Sequence, residues 1–220
     1  MCLSAEVDLI AGAIICGIGV HAVKRSSGSG EKLLASIPLV LGVHQLVESV
    51  VWWGLEGRFS ETVWRFAAWW YLAIAFGVLP VLVPIAVGAL EPVSRRRTTA
   101  VFVAIGVAVS SVLMYAVIRG PVEATIEGLH LSYSVDLWHG QLIVLLYVVA
   151  TCGSLLVSTH RHVQWFGIVN LVGVAVLAWV DQNAFISLWC AWAAVTSVAI
   201  AVHLGVTGAT RPLRRQHEVA

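Results

Sequence analysis

Charge is scarce in this 220-residue chain: Asp, Glu, Lys and Arg make up 11% of it, against about 25% in a typical soluble domain. That deficit excludes a surface solvated on all sides. The charges nearly cancel, to a net +1, and no basic stripe is interleaved with aromatics. Nucleic acid is therefore not an expected partner. The four cysteines, Cys2, Cys16, Cys152 and Cys190, form no C-x-x-C pair, which argues against a zinc ribbon or a thioredoxin-type centre. No G-x-S-x-G, P-loop, dinucleotide fingerprint or H-E-x-x-H is present, nor any Asp-rich diphosphate motif. No cofactor and no metal are expected. Positive charge is also missing ahead of the first apolar run, where Glu6 and Asp8 stand instead. A cleavable signal peptide needs a basic start, so that run is expected to be a membrane span.

Long apolar runs fill the rest. A span takes roughly 20 apolar residues, and seven stretches approach that length: Val7–Val23, Leu33–Leu55, Val63–Leu90, Thr99–Ile118, Val135–Val157, Val163–Val180 and Ala184–Val206. The expected fold is all-α, an integral membrane seven-helix bundle over residues 1–208 with a polar tail at 209–220. No composition break divides it. The third stretch is long and carries Pro80 and Pro84, each of which removes a backbone donor, so a kink is expected there. Basic residues alternate with acidic ones from loop to loop: Lys24, Arg25 and Lys32; Arg95, Arg96 and Arg97; His160, Arg161 and His162; Arg211, Arg214 and Arg215. The positive-inside rule makes these loops cytoplasmic, with the N-terminus outside and a multi-pass placement in the cell membrane. The sequence defines no oligomeric state.

The second stretch carries His44-Gln45-Leu46-Val47-Glu48 and then Trp52-Trp53. Ionisable residues within a span are costly and are functional candidates by default. His44 and Glu48 are four apart and share a helical face, which Trp52 continues. The topology sets Asp181, Gln182, Asp136, His139 and Trp189 in the same outer half, with most of the ten tryptophans. A carboxyl buried without a fixed cation favours its neutral form. Glu48 is thus the expected general acid, with His44 holding or resupplying its proton. Asp181 is a second acid or base, and Gln45, Trp52, Trp53, His139, Trp179 and Trp189 are expected to line the pocket. An acid at the end of an apolar, aromatic-walled pocket suits protonation of an alkene or epoxide, and aromatic faces shelter the cation that results. The plainer readings stand beside this one. Glu48 and His44 serve a structural hydrogen bond, Asp136 and Asp181 are solvated helix ends, and Trp64 and Trp138 belong to an interfacial belt.

Two resemblances add to the pattern. Met1-Cys2-Leu3-Ser4-Ala5, His44-Gln45-x2-Glu48, Leu79-Pro80-x3-Pro84, Glu91-Pro92 and Ser187-Leu188-Trp189-Cys190-Ala191-Trp192-Ala193-Ala194 resemble a bacterial family of small membrane proteins of unknown function, along nearly the whole chain. The size, the span count and the placing of Glu48 and Asp181 near tryptophans are similar to membrane-bound terpene cyclases. That second likeness implies a cyclase acting on a lipid-like, prenylated small molecule. The other expectation is a non-enzymatic protein that binds, senses or carries a ligand, or relays a proton, through the same Glu–His site.

Overall fold

The computed structural model describes residues 4–128, 130–137 and 139–180, together with Trp192 and Val198; the side chains of 177–180 are not part of the description. Helix α1 runs Ala5–Arg25. It opens on Ser4, whose hydroxyl accepts from the Val7 N–H, with Glu6 and Asp8 in its first turn and Lys24 and Arg25 in its last. This order of charges complements the helix dipole. A short link at Ser26–Gly28 leads to α2, Ser29–Leu55.

The two helices pack antiparallel along their length, and small residues set how closely they approach. A Cβ on Gly12 would sit 2.9 Å from the Gly42 carbonyl oxygen, and one on Gly42 would sit 2.7 Å from the Cys16 nitrogen. One on Gly19 would meet the Leu39 backbone at 2.6 Å.

Helix α3 (Glu61–Leu72) passes through a π-helical segment at Ala73–Val78 into α4 (Leu79–Leu90). Pro80 has no N–H to give back to the preceding turn, and the chain resolves this by widening. Neighbouring helices bond the carbonyls of this wider segment. Tyr147 Oη donates to Ala75 O at 2.8 Å, and Ser110 Oγ donates to Gly77 O at 2.9 Å. Helix α5 follows at Arg96–Arg119.

Strands β1 (Val122–Glu127) and β2 (His130–Val135) then form an antiparallel hairpin. Its register pairs Val122 with Val135, Ala124 with Tyr133 and Ile126 with Leu131 on one face. The other face carries Glu123, Thr125 and Glu127. Gly128, directly after β1, has φ 61°, a conformation that favours glycine. The chain continues through α6 (Gly140–Val148), a second π-helical segment at Val149–Gly153, the single turn α7 (Ser154–Leu156) and α8 (Arg161–Val180).

Four helical stretches are long and apolar enough to cross a membrane: Ala5–Arg25, Ser29–Leu55, Glu61–Leu90 and Val93–Arg119. Their buried residues form one core around Tyr71, Leu72, Leu41, Val51 and Val87, whereas much of the apolar surface of α1 and α5 faces outward. The chain is a mostly helical membrane protein. The hairpin departs from the all-α expectation, because the segment between the fourth and fifth apolar stretches alternates with period two. The fifth stretch is also shorter than expected: its helical part, Gly140–Leu156, begins after the second strand. The sequence treats Val135 as the start of a span, yet Val135 pairs with Val122 in the sheet. The seventh stretch, Ala184–Val206, and the tail at 209–220 lie outside the described residues, apart from Trp192 and Val198.

Candidate functional site

His44, Glu48 and Trp52 share one face of α2, as their spacing requires, and all three are buried, with His44 and Glu48 fully enclosed. Gln45 is buried beside them, and its Nε2 donates to Glu48 Oε2 at 3.4 Å. The His44 ring lies against Tyr71 of α3, with centroids 3.9 Å apart and planes tilted by 30°. Tyr71 in turn stacks on Tyr133 of β2, at 4.5 Å and 14°. Three elements thus contribute one ring each to a continuous column. Its His44 end lies next to a buried carboxyl, and its Tyr133 end belongs to the hairpin.

Among the described residues neither ring nitrogen of His44 has a partner in hydrogen-bonding geometry, and neither does Trp52 Nε1. Each such buried group costs about 1–3 kcal/mol. In native proteins a group left this way calls for a functional or structural reason. A neutral imidazole presents one donor and one acceptor, the indole presents one donor, and a carboxylic acid presents both kinds. The face therefore offers a ligand a mixed set of polar groups within an apolar wall.

Asp8 was not singled out by its sequence position, which suggested only the polar lead-in to a span. It is fully buried. Trp53 Nε1 donates to Glu6 Oε1 at 3.5 Å, and Gly12 packs at Gly42 and Leu46. Asp8 consequently lies level with the turn of α2 that follows Glu48. The signal was the spacing of Asp8, Gly12, Ile15 and Gly19, which together make the buried face of α1. Tyr71 and Tyr133 were also missed, since only packing brings them to His44.

Other expected site residues fall elsewhere. Trp53 is turned toward α1 and Glu6, off the Glu48 face. His139 is exposed at the start of α6 and is not in the buried cluster. Asp181 and Trp189 lie outside the described residues, and so does the side chain of Trp179. Among the described residues no three His, Cys, Asp or Glu side chains converge as metal ligands. A cavity of about 50 Å³ lies between α2, α4, the second π-helical segment and α8, with Ile37, Leu41, Tyr147, Cys152 and Phe166 in its wall. Ile37 and Leu41 lie on the His44 face of α2, about two turns and one turn beyond His44. Neither Glu48 nor a tryptophan lines this cavity.

A second polar cluster stands at the opposite end of the bundle. Glu91 follows α4 and is buried. Its carboxylate accepts from Ser158 Oγ at 2.7 Å, from the Thr159 N–H at 2.9 Å and from Thr159 Oγ1 at 2.8 Å, with His160 Nδ1 at 3.4 Å. Burial works to raise its pKa, but the hydrogen bonds from Ser158, Thr159 and His160 prevail and hold it below the usual carboxylate value. The side chain thereby joins the end of α4 to the start of α8. His160, partly exposed in the loop, also reaches Glu91.

These features define a class: a multi-span membrane protein with a buried acid–imidazole face under a β-hairpin. Within that class the chain belongs to the Family of unknown function (DUF6629), which it matches over residues 1–215. No curated protein and no solved structure matches it.

Proposed function

We propose that this is a cell-membrane binding protein. Its site holds a small ligand with hydrogen-bonding groups between His44, Glu48 and Trp52, and exchanges a proton with it. The seven-span bundle with an outer N-terminus belongs to the same reading. The observation that carries it is the fully buried His44, whose ring nitrogens meet no hydrogen-bond partner among the described residues, one helical turn from a fully buried carboxyl. Such a pair can take and return a proton without exposing a charge to lipid. The test compares wild-type protein with E48Q and H44F in lipid nanodiscs, scoring by mass spectrometry the small molecules that stay bound through purification. Wild type is expected to retain a species that both variants lose. Identical contents in all three would refute the site.

One observation favours a second reading, an acid-initiated cyclase of a prenylated lipid. The apolar cavity continues the His44 face at Leu41 and Ile37, which is where a hydrocarbon chain would lie if Glu48 protonated its alkene or epoxide. Asp181, Trp179 and Trp189 would complete that pocket. Under this reading E48Q still binds a prenylated epoxide but no longer converts it. A carrier or sensor shows no conversion in either form.

A further inference from the structure

Tyr133 of the hairpin caps the ring column that begins at His44. Tyr147 of α6 bonds to Ala75, and Ser110 of α5 bonds to Gly77. Both contacts lie within about two turns of Tyr71 along its helix, so α5 and α6 approach their ends near the level of the His44–Tyr71 contact. Beyond that level, α2 and α3 are flanked by the hairpin, and β1 packs against both helices. The wall is thin. Its inward face buries Ala124, Leu131 and Tyr133, and its outward face carries Glu123, Thr125, Ser132 and Ser134. A polar outward face belongs in water, not in hydrocarbon. An isolated two-stranded hairpin is marginally stable at best, so its hold on the bundle depends on those inward side chains. Positive-φ backbone at Gly120 (φ 63°) and His139 (φ 54°) bounds the segment on both sides.

We infer that the hairpin is the removable roof of the site, that Tyr133 is its access-determining residue, and that the ligand is a small water-borne polar molecule entering from the aqueous face. This rests on the reading of Glu48 and His44 as a ligand site, and it names the ligand class and the route. A ligand of this kind displaces Tyr133 from the outer face of Tyr71 and passes the edge of the Tyr71 ring to reach the His44 nitrogens and the Glu48 carboxyl. Tyr71 stays on its helix as the floor of the opening.

Carbodiimides test the route, because they add to carboxyls and differ in the phase that carries them. The full chain in nanodiscs is treated with a water-soluble carbodiimide or with dicyclohexylcarbodiimide, which partitions into lipid. Labelling at Glu48 is read by peptide mass spectrometry. Glu91, buried at the other end, reports general loosening. Y133A is expected to speed water-phase labelling of Glu48 by about ten-fold, the loss of one aromatic stack. Labelling from lipid, and labelling at Glu91, should be unchanged. Y133F, which keeps the ring, should behave as wild type. Hydrogen exchange on the unaltered protein gives a measure that needs no variant: β1 and β2 amides should exchange faster than those of α2 around His44. Rapid lipid-phase labelling of wild type, with none from water even in Y133A, overturns the aqueous route and leaves the ligand site standing. Failure of both reagents to reach Glu48 in Y133A overturns the route and the site together. Hairpin amides as protected as those of α2 overturn the removable roof.

Discussion

Replacing Glu91 gives the most direct measure of how the bundle is closed at the end away from the hairpin. Its carboxylate takes three short hydrogen bonds from Ser158 and Thr159. Its backbone ends α4, where a carboxylate is unwelcome, but its side chain reaches the residues that open α8, where the helix dipole favours one. E91A leaves a buried hydroxyl, a second hydroxyl and an amide without their acceptor. At about 1–3 kcal/mol per buried group, softened by water at this end, the cost is about 3–5 kcal/mol. E91Q keeps the shape and one acceptor oxygen but loses the charge, which leaves a cost of about 1–2 kcal/mol. For a chain of this size 1 kcal/mol shifts Tm by about 2–4 °C, so E91Q should melt roughly 2–8 °C below wild type in detergent and E91A further still. The sign with pH follows from the lowered pKa. A depressed carboxyl contributes its stability above its ordinary value of 4.5 and loses it as pH falls through the folded value. The gap between wild type and E91Q should therefore be constant from neutral pH down to about pH 5 and close in more acid solution. Thermal melts followed by tryptophan fluorescence across that range provide the assay. Equal melting temperatures at pH 7, or a gap that widens in acid, would refute the assignment of this carboxylate as the α4–α8 tie.

Two further substitutions separate the site from the scaffold. H44F keeps a ring against Tyr71 and removes two buried nitrogens that have no partner among the described residues, so it should leave stability unchanged or raise it by about 1–3 kcal/mol while abolishing ligand retention; a large loss of stability would show that His44 is structural. Y147F removes the donor to Ala75 O and should cost about 1–2 kcal/mol, seen as a lower Tm and faster amide exchange around Ala73–Val78.

The chain of spans was legible because hydropathy dominates these segments. Four of the expected stretches match long apolar helices to within a few residues, and α8 begins and ends close to its expected limits. The face of His44, Glu48 and Trp52 was legible for the same reason, since a four-residue spacing fixes a helical face wherever the helix packs. The hairpin was written just as plainly, in Val122-Glu123-Ala124-Thr125-Ile126 and Leu131-Ser132-Tyr133-Ser134-Val135. A search for 20-residue apolar runs passes over a pattern with period two. Tyr71 and Tyr133 could not be assigned, because they are 62 residues apart and meet only through tertiary packing. Pro80 shows a different limit. A missing donor predicts a disturbance, but the chain answered it with a π-helical widening and side-chain donors from two other helices.

The glycine-lined contact of α1 with α2 also bears on how the protein enters a bilayer. With only Ser26–Gly28 between them, the two helices can insert as one hairpin. An acidic residue at the middle of a lone inserting helix costs about 2.5–3.5 kcal/mol, and Glu48, well inside α2, would face part of that cost alone. Joined at Gly12, Gly19 and Gly42, the pair buries the α1 face that carries Asp8. A bulky residue at Gly42 would then impair membrane integration during synthesis as well as the stability of the finished bundle.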